Sequence, residues 1–192
     1  MQSLQHELIL GGARSGKSRT AEERARRWLA ADGTHRASLV ATALAGDAEM
    51  AARIARHRAD RAARVPALET VEAPAALGAT LLRLAAPQRL LVVDCLTLWA
   101  TQCLLPPGVE PVRKPPCWAK EREALLRALK ESRSPIVLVS NEIGLGLMPL
   151  APEARAAVDA LGELHQAVAA RCGRVTLMVA GCELTVKTEP GP

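Results

Sequence analysis

Apolar positions in this chain follow two rhythms. Short runs at Leu8 to Leu10, ASLVATA (37–43), LLVVDCLTL (90–98), PIVLVSNE (135–142) and RVTLMVAG (174–181) have the length and branched content of buried strands. Between them, Lys17 to about Ala31, 47–64, 118–131 and 153–171 are rich in Ala, Leu, Arg and Glu, and they predict helices. Strands alternating with helices imply an α/β fold: a mostly parallel sheet covered by helices on both faces. Residues 1–192 are expected to form a single domain. The proline-rich stretch 106–116 reads as a loop and TEPGP, at the end, as a frayed tail. Between Val65 and Arg89 the pattern assigns no element.

Composition narrows the core and the partners. Phe and Tyr are absent and Trp occurs three times, so Leu, Val, Ile and Ala must fill the interior. A surface that stacks single-stranded nucleic acid on aromatic rings is disfavoured for the same reason. Five scattered cysteines without a Cys-x-x-Cys pair suit reduced thiols in a cytoplasmic protein. MQSLQHELIL lacks the pattern of a secretory leader, and the longest apolar stretch is broken by Asp94 and Gln102, so no membrane span is expected. Charge is uneven: 12 Arg and Lys face 6 Asp and Glu between Arg14 and Arg64, against 13 and 14 elsewhere. That excess is either a solvated helical face or an electropositive surround for phosphates.

The first strand runs into LILGGARSGKSRTAEE, where Gly11, Gly16, Lys17 and Ser18 fit G-x-x-x-x-G-K-[ST], the phosphate-binding loop. Strand before and helix after are the context such a loop needs. Glycines let backbone N–H groups turn around phosphate oxygens. Lys17 brings a charge to the outer phosphates, and the Ser18 hydroxyl is a ligand for Mg²⁺. The helix start adds its dipole.

A second acid-bearing strand completes such a site. Asp94, ending LLVVD, is the candidate for holding the metal or its waters, with a strand-end cap or turn residue as the plain alternative. Asn141 and Glu142 close another strand. No N-K-x-D guanine-recognition element is present, which disfavours a switch GTPase. On the helix 47–64, Met50, Ile54, His57 and Arg61 fall within roughly 60° of one another at helical spacing. His57 therefore continues an inward stripe. It reads either as a structural histidine or as a nucleophile, since imidazole, with a reference pKa near about 6.5, can attack phosphorus at cellular pH.

GGARSGKS, ATA, DAEMAARIARHRADR, VVDCLTLW and VSNEIGLGLMP, in this order, resemble the adenosylcobinamide kinase/adenosylcobinamide-phosphate guanylyltransferase family, over the span from Leu8 to Lys187. The resemblance implies a RecA-like phosphate-loop fold and two reactions. One phosphorylates adenosylcobinamide with a nucleoside triphosphate, ATP or GTP. The other moves GMP from GTP to the resulting phosphate through a GMP-histidine intermediate. It implies Mg²⁺, and it implies a homo-oligomer, specifically a trimer. By position it places the guanylylated histidine on His57, with Lys17 as the second catalytic group. Nucleotide contacts fall on Gly11, Gly12, Ala13, Arg14, Ser15, Gly16, Lys17 and Ser18. Others fall on Ala41, Thr42 and Ala43, on Arg58, Ala59, Asp60 and Arg61, and on Glu69 and Asp94, with Ser18 and Asp94 as metal ligands. Arg56 stands where some relatives have a second histidine. His35 and His165 lie outside the motif and read as structural. The rival readings are a monofunctional small-molecule kinase and a RecA-like nucleic-acid ATPase.

Overall fold

The computed structural model describes residues 6–104 and 116–188. Strand β1 (Glu7–Gly11), helix α1 (Lys17–Ala31), β2 (Arg36–Ala41), α2 (Ala48–Arg64), β3 (Leu68–Glu72) and α3 (Leu77–Leu84) form the first half. Then come β4 (Arg89–Asp94), α4 (Leu96–Leu104), α5 (Pro116–Glu131), β5 (Ile136–Asn141), α6 (Pro152–Ala169), β6 (Arg174–Val179) and β7 (Cys182–Thr188). All strands join one seven-stranded sheet in the order β3-β2-β4-β5-β1-β6-β7. Every pairing is parallel except β6 with β7.

The apolar runs make strands because both faces of the sheet are covered. Leu8, Leu91, Val93 and Leu138 point into a core shared with residues of α3, α4, α5 and α6. Ile9, Leu39, Val92 and Val139 point the other way, toward Ala21 and Ala25 of α1. Strand order explains the division. The connections through α1 and α2 both run toward the β3 edge, whereas those through α3, α4–α5 and α6 run the opposite way. Right-handed crossovers then put the two groups on opposite faces. Strand β5 lies between β1 and β4, so the phosphate-loop strand and the Asp94 strand are not neighbours.

Three segments differ from the sequence expectation. The run LLVVDCLTL is strand only as far as Asp94; α4 starts at Leu96 and buries Trp99, whose ring lies 5.6 Å from that of Trp118. β3 and α3 occupy the stretch left unassigned. β3 is a mostly exposed edge strand without an apolar run, and α3 has only eight residues with Gly78 inside. A Cβ at Gly78 would come within 2.4 Å of the Ala124 backbone, so close packing on α5 demands the glycine that hides this helix in the sequence. Last, β7 folds back on β6 through Ala180 and Gly181, whose φ values of 51° and 83° are those of a two-residue hairpin turn. Of the proline-rich stretch only Pro116 is among the described residues, where it starts α5, and of TEPGP only Thr188, which ends β7. Among the described residues no helix is long and apolar enough to cross a membrane.

Candidate active site

β1, buried except for the half-buried Leu10, delivers Gly11 to the C-terminal edge of the sheet. There φ is 154°, and a Cβ would stand 2.6 Å from both the Met178 carbonyl and Ser15 Oγ, so only glycine fits. Gly12, Ala13 and Arg14 form an exposed tip, and Ser15 turns back with its N–H donating to the Gly12 carbonyl at 3.3 Å. Gly16 then opens α1 with no side chain capping the first turn. Those backbone N–H groups are left for an anion.

Lys17 lies folded over this loop. Its Nζ donates to the Gly12 carbonyl at 2.5 Å and sits 3.4 Å from Ser15 Oγ, with 7% of the residue exposed. Burial pulls its pKa down; Cys95 and Asp94 oppose that shift, and the charge of Arg53 adds to it. A buried ammonium held only by neutral oxygens is a poor arrangement for the protein alone and a good one for a phosphate.

β4 brings Asp94 to the same edge, in register with Ala41 of β2. The Ser18 hydroxyl hydrogen-bonds its carboxyl, and His57 and Arg61 lie within electrostatic reach of it. Burial nevertheless dominates and raises the Asp94 pKa. Ser18 and Asp94 thus present adjacent hard oxygens. Among the described residues no group of three His, Cys, Asp or Glu could hold a metal by itself. That donor set fits Mg²⁺, whose shell is completed by substrate phosphates and water.

Ala41, Thr42 and Ala43 leave β2 beside Asp94. Thr42 is fully buried and committed: its Oγ1 donates to the Cys95 carbonyl at 2.7 Å and accepts from Cys95 N–H at 2.9 Å. It clamps β2 to the turn after Asp94, so Thr42 shapes the site rather than offering its hydroxyl.

Helix α2 starts at Asp47, whose side chain accepts the Met50 N–H at 2.7 Å. Met50, Ile54 and His57 are half-buried and Arg61 is buried, while every other residue of α2 is exposed. The stripe read from the spacing is the face by which α2 meets the protein. Arg61 is 7% exposed and forms no ion pair among the described residues; its hydrogen bond goes to Thr70 Oγ1 at 3.4 Å. It is a guanidinium awaiting an anion. Arg58 instead pairs with Glu72 across open solvent, and Arg64 pairs with the buried Glu22 of α1 at 2.7 Å.

The structure brings together Gly11 to Ser18, Asp94, His57 and Arg61. It does not bring Ala59 and Asp60 to them, since both project from the exposed side of α2. Glu69 also stands apart: it pairs with Ser38, three residues before the C-terminal end of β3, and its carboxylate is 3.4 Å from Ser38 Oγ. At the edge itself, opposite Ala41, the acid is Glu72. Sequence reasoning missed Glu72 because β3 has no apolar run to mark where it ends.

The basic excess divides. Arg24, Arg26, Arg27, Arg58 and Arg64 are spent on carboxylates. Among the described residues Arg14, Arg19, Arg53 and Arg56 have no such partner. The first group belongs to a solvated, ion-paired helical face; the second is left available to anions. A cavity of about 440 Å³ opens beyond the loop, between the start of α1 and the β6–β7 turn, with Arg14, Arg19 and Glu23 in its lining. Neither Asp94 nor His57 borders it.

A phosphate loop between β1 and α1, an acid on the strand beyond a neighbour, and a parallel sheet in this order define a RecA-like P-loop enzyme that uses nucleoside triphosphates. Residues 7–186 match the family described as cobinamide kinase / cobinamide phosphate guanyltransferase, and the chain belongs to that family. It is 52% identical over 184 residues to the bifunctional adenosylcobalamin biosynthesis protein CobP of Pseudomonas aeruginosa, covering 96% of this chain and 98% of that protein. The bifunctional adenosylcobalamin biosynthesis protein CobU of Salmonella typhimurium is 34% identical over 189 residues, covering 94% and 98%. Among solved structures, the flagellar accessory protein FlaH of Methanocaldococcus jannaschii has a TM-score of 0.52 at 12% identity, over 98% of this chain and 81% of that one. This last likeness concerns the fold alone.

Proposed function

We propose that the chain runs both reactions named for its family on one phosphate loop, with His57 as the covalent carrier of GMP. In the first, the aminopropanol hydroxyl oxygen of adenosylcobinamide attacks the γ-phosphorus of ATP or GTP, and the nucleoside diphosphate leaves. In the second, an imidazole nitrogen of His57 attacks the α-phosphorus of GTP, the bond to the β-phosphate oxygen breaks, and pyrophosphate leaves. An oxygen of adenosylcobinamide phosphate then attacks the same phosphorus, the N–P bond breaks, and adenosyl-GDP-cobinamide is released.

The observation that carries this reading is the α2 stripe, which points His57 and the buried Arg61 toward Asp94 while the rest of the helix faces solvent. Loop N–H groups and Lys17 hold the phosphates; Arg61 offsets the charge that develops on the leaving pyrophosphate. Ser18 and Asp94 would hold Mg²⁺, which neutralises phosphate charge when bound. Glu72, beside Arg58 at the end of β3, takes the edge position expected of Glu69.

The family resemblance also supports a homo-oligomer, a trimer, and the exposed Leu145, Leu147 and Leu150 offer apolar surface for it. A cytoplasmic location accords with five free cysteines.

Incubation with GTP labelled at the α-phosphate tests the central claim. GMP is expected on His57, with pyrophosphate released before any corrinoid is added. Its phosphoramidate bond is lost in acid and kept in base. His57→Ala abolishes the label and the transfer while phosphorylation of adenosylcobinamide persists. Label on another residue overturns the assignment.

A further inference from the structure

A second polar cluster borders the phosphate loop and has no part in the steps above. β5 ends in Ser140 and Asn141, and the N–H of the next residue, Glu142, donates to the Gly11 carbonyl at 3.0 Å. Asp94 is in register with Val139, three residues earlier. Glu142 therefore rises above the sheet edge beside the start of the loop, beyond the level of the two cation ligands.

The hydrogen-bond directions around Glu142 follow from its carboxylate, which can only accept. Nδ1 of His165 lies 3.5 Å from Glu142 Oε2, so the proton of the neutral ring resides on Nδ1. Nε2 then accepts from Ser140 Oγ at 2.8 Å, and Ser140, its proton so used, accepts from Thr97 Oγ1 at 3.0 Å. Thr97 Oγ1 itself accepts the Asn141 N–H at 2.7 Å. Burial of His165 lowers its pKa, against the opposing charge of Glu142, and keeps the ring neutral. The other carboxylate oxygen accepts Gly144 N–H at 2.8 Å. Ser140 and His165 are buried, yet 22% of the Glu142 side chain remains exposed. A carboxylate oriented from below, open above and adjacent to the loop is the geometry of a base.

The two reactions differ in their need for one. An alcohol must lose its proton as it attacks phosphorus, whereas the phosphate acceptor of GMP is already an anion. We propose that Glu142 is the general base of the kinase reaction alone, and that His165 is the residue that positions it. As the alcohol oxygen bonds to the γ-phosphorus, its O–H bond breaks and the proton passes to the Glu142 carboxylate. The bond from phosphorus to the bridging oxygen breaks, the nucleoside diphosphate leaves with that electron pair, and Glu142 later returns the proton to water. This rests on the proposed function, which supplies the alcohol acceptor.

Glu142→Gln keeps the shape and the acceptor for Gly144. In steady-state phosphorylation of adenosylcobinamide, its kcat is expected to fall by about 10²-fold, with KM for both substrates within about threefold. GMP loading of His57 should fall at least about tenfold less than that. Glu142→Asp recovers part of the loss, and His165→Gln lowers kinase kcat by about tenfold at unchanged KM. A Glu142→Gln enzyme with wild-type kinase kcat overturns the proposal, as does an equal loss of both reactions, which would mark a structural loop position. A wild type that phosphorylates no adenosylcobinamide overturns the functional reading as well. A wild type that does, beside an unaffected variant, overturns the base alone.

Discussion

Helices α1 and α2 have 15 and 17 residues, are both rich in Ala and Arg, and lie on the same side of the sheet. α1 nevertheless buries Ala21 and Ala25 against Ile9, Leu39 and Val92, whereas α2 buries only Arg61. Strand order accounts for the contrast. The β1–β2 connection passes over β5 and β4, so sheet lies beneath α1 along its length. α2 joins β2 to the edge strand β3 and overhangs solvent. It is held by its Asp47 cap, by a pair between Arg64 and Glu22, and by an exposed pair between Arg58 and Glu72. A cap contributes about 1 kcal/mol and an exposed pair about 0–1 kcal/mol. Phosphate binding, common to both reactions, thus belongs to the rigid helix. His57, the proposed carrier of GMP to a bulky corrinoid, belongs to the open one.

The largest effect should come from Lys17→Ala, which is expected to cost both reactions about 10³-fold or more in kcat/KM while the fold survives. His57→Ala removes only one of them. Parallel assays of the two activities check this, and a Lys17 variant that spares either reaction breaks the assignment of a shared site to α1.

Matched overpacking compares the helices directly. Ala25 has no exposed surface, whereas Ala55 faces solvent on α2. Ala25→Leu should destabilise by about 1–3 kcal/mol in urea unfolding, and Ala55→Leu should stay within about 0.5 kcal/mol. Equal losses would mean that α2 is packed as tightly as α1.

The smallest effect concerns pH and the strand that carries the rigid loop. His6, just before β1, receives the Ile136 N–H on Nδ1 at 3.2 Å and donates from Nε2 to the Leu129 carbonyl at 2.7 Å. Burial outweighs that second bond and lowers its pKa below 6.5. The unfolded chain therefore takes up a proton that the folded chain refuses. The His6 contribution is full above about pH 6.5 and is lost as pH falls below it, and His165 acts in the same sense. The melting midpoint should decline from pH 7.5 to 5.5, and less steeply in His6→Asn. An unchanged slope would remove His6 from the account.

Local structure was legible in the order of residues. Gly11 to Ser18 form a phosphate loop because backbone conformation and spacing within eight positions decide it. Met50, Ile54, His57 and Arg61 share a face because helical periodicity alone puts them there. Asp94 marks its strand end because a carboxylate interrupts an apolar run. The edge strands β3 and β7 carried no such signal, since a half-exposed strand needs no apolar run, and Glu72 was hidden with β3. Nor could spacing join Ser140 and Glu142 to Thr97 and His165, which come from α4 and α6. That cluster exists because parallel crossovers set α4 and α6 together above the end of β5, a placement decided by packing on the far face of the sheet.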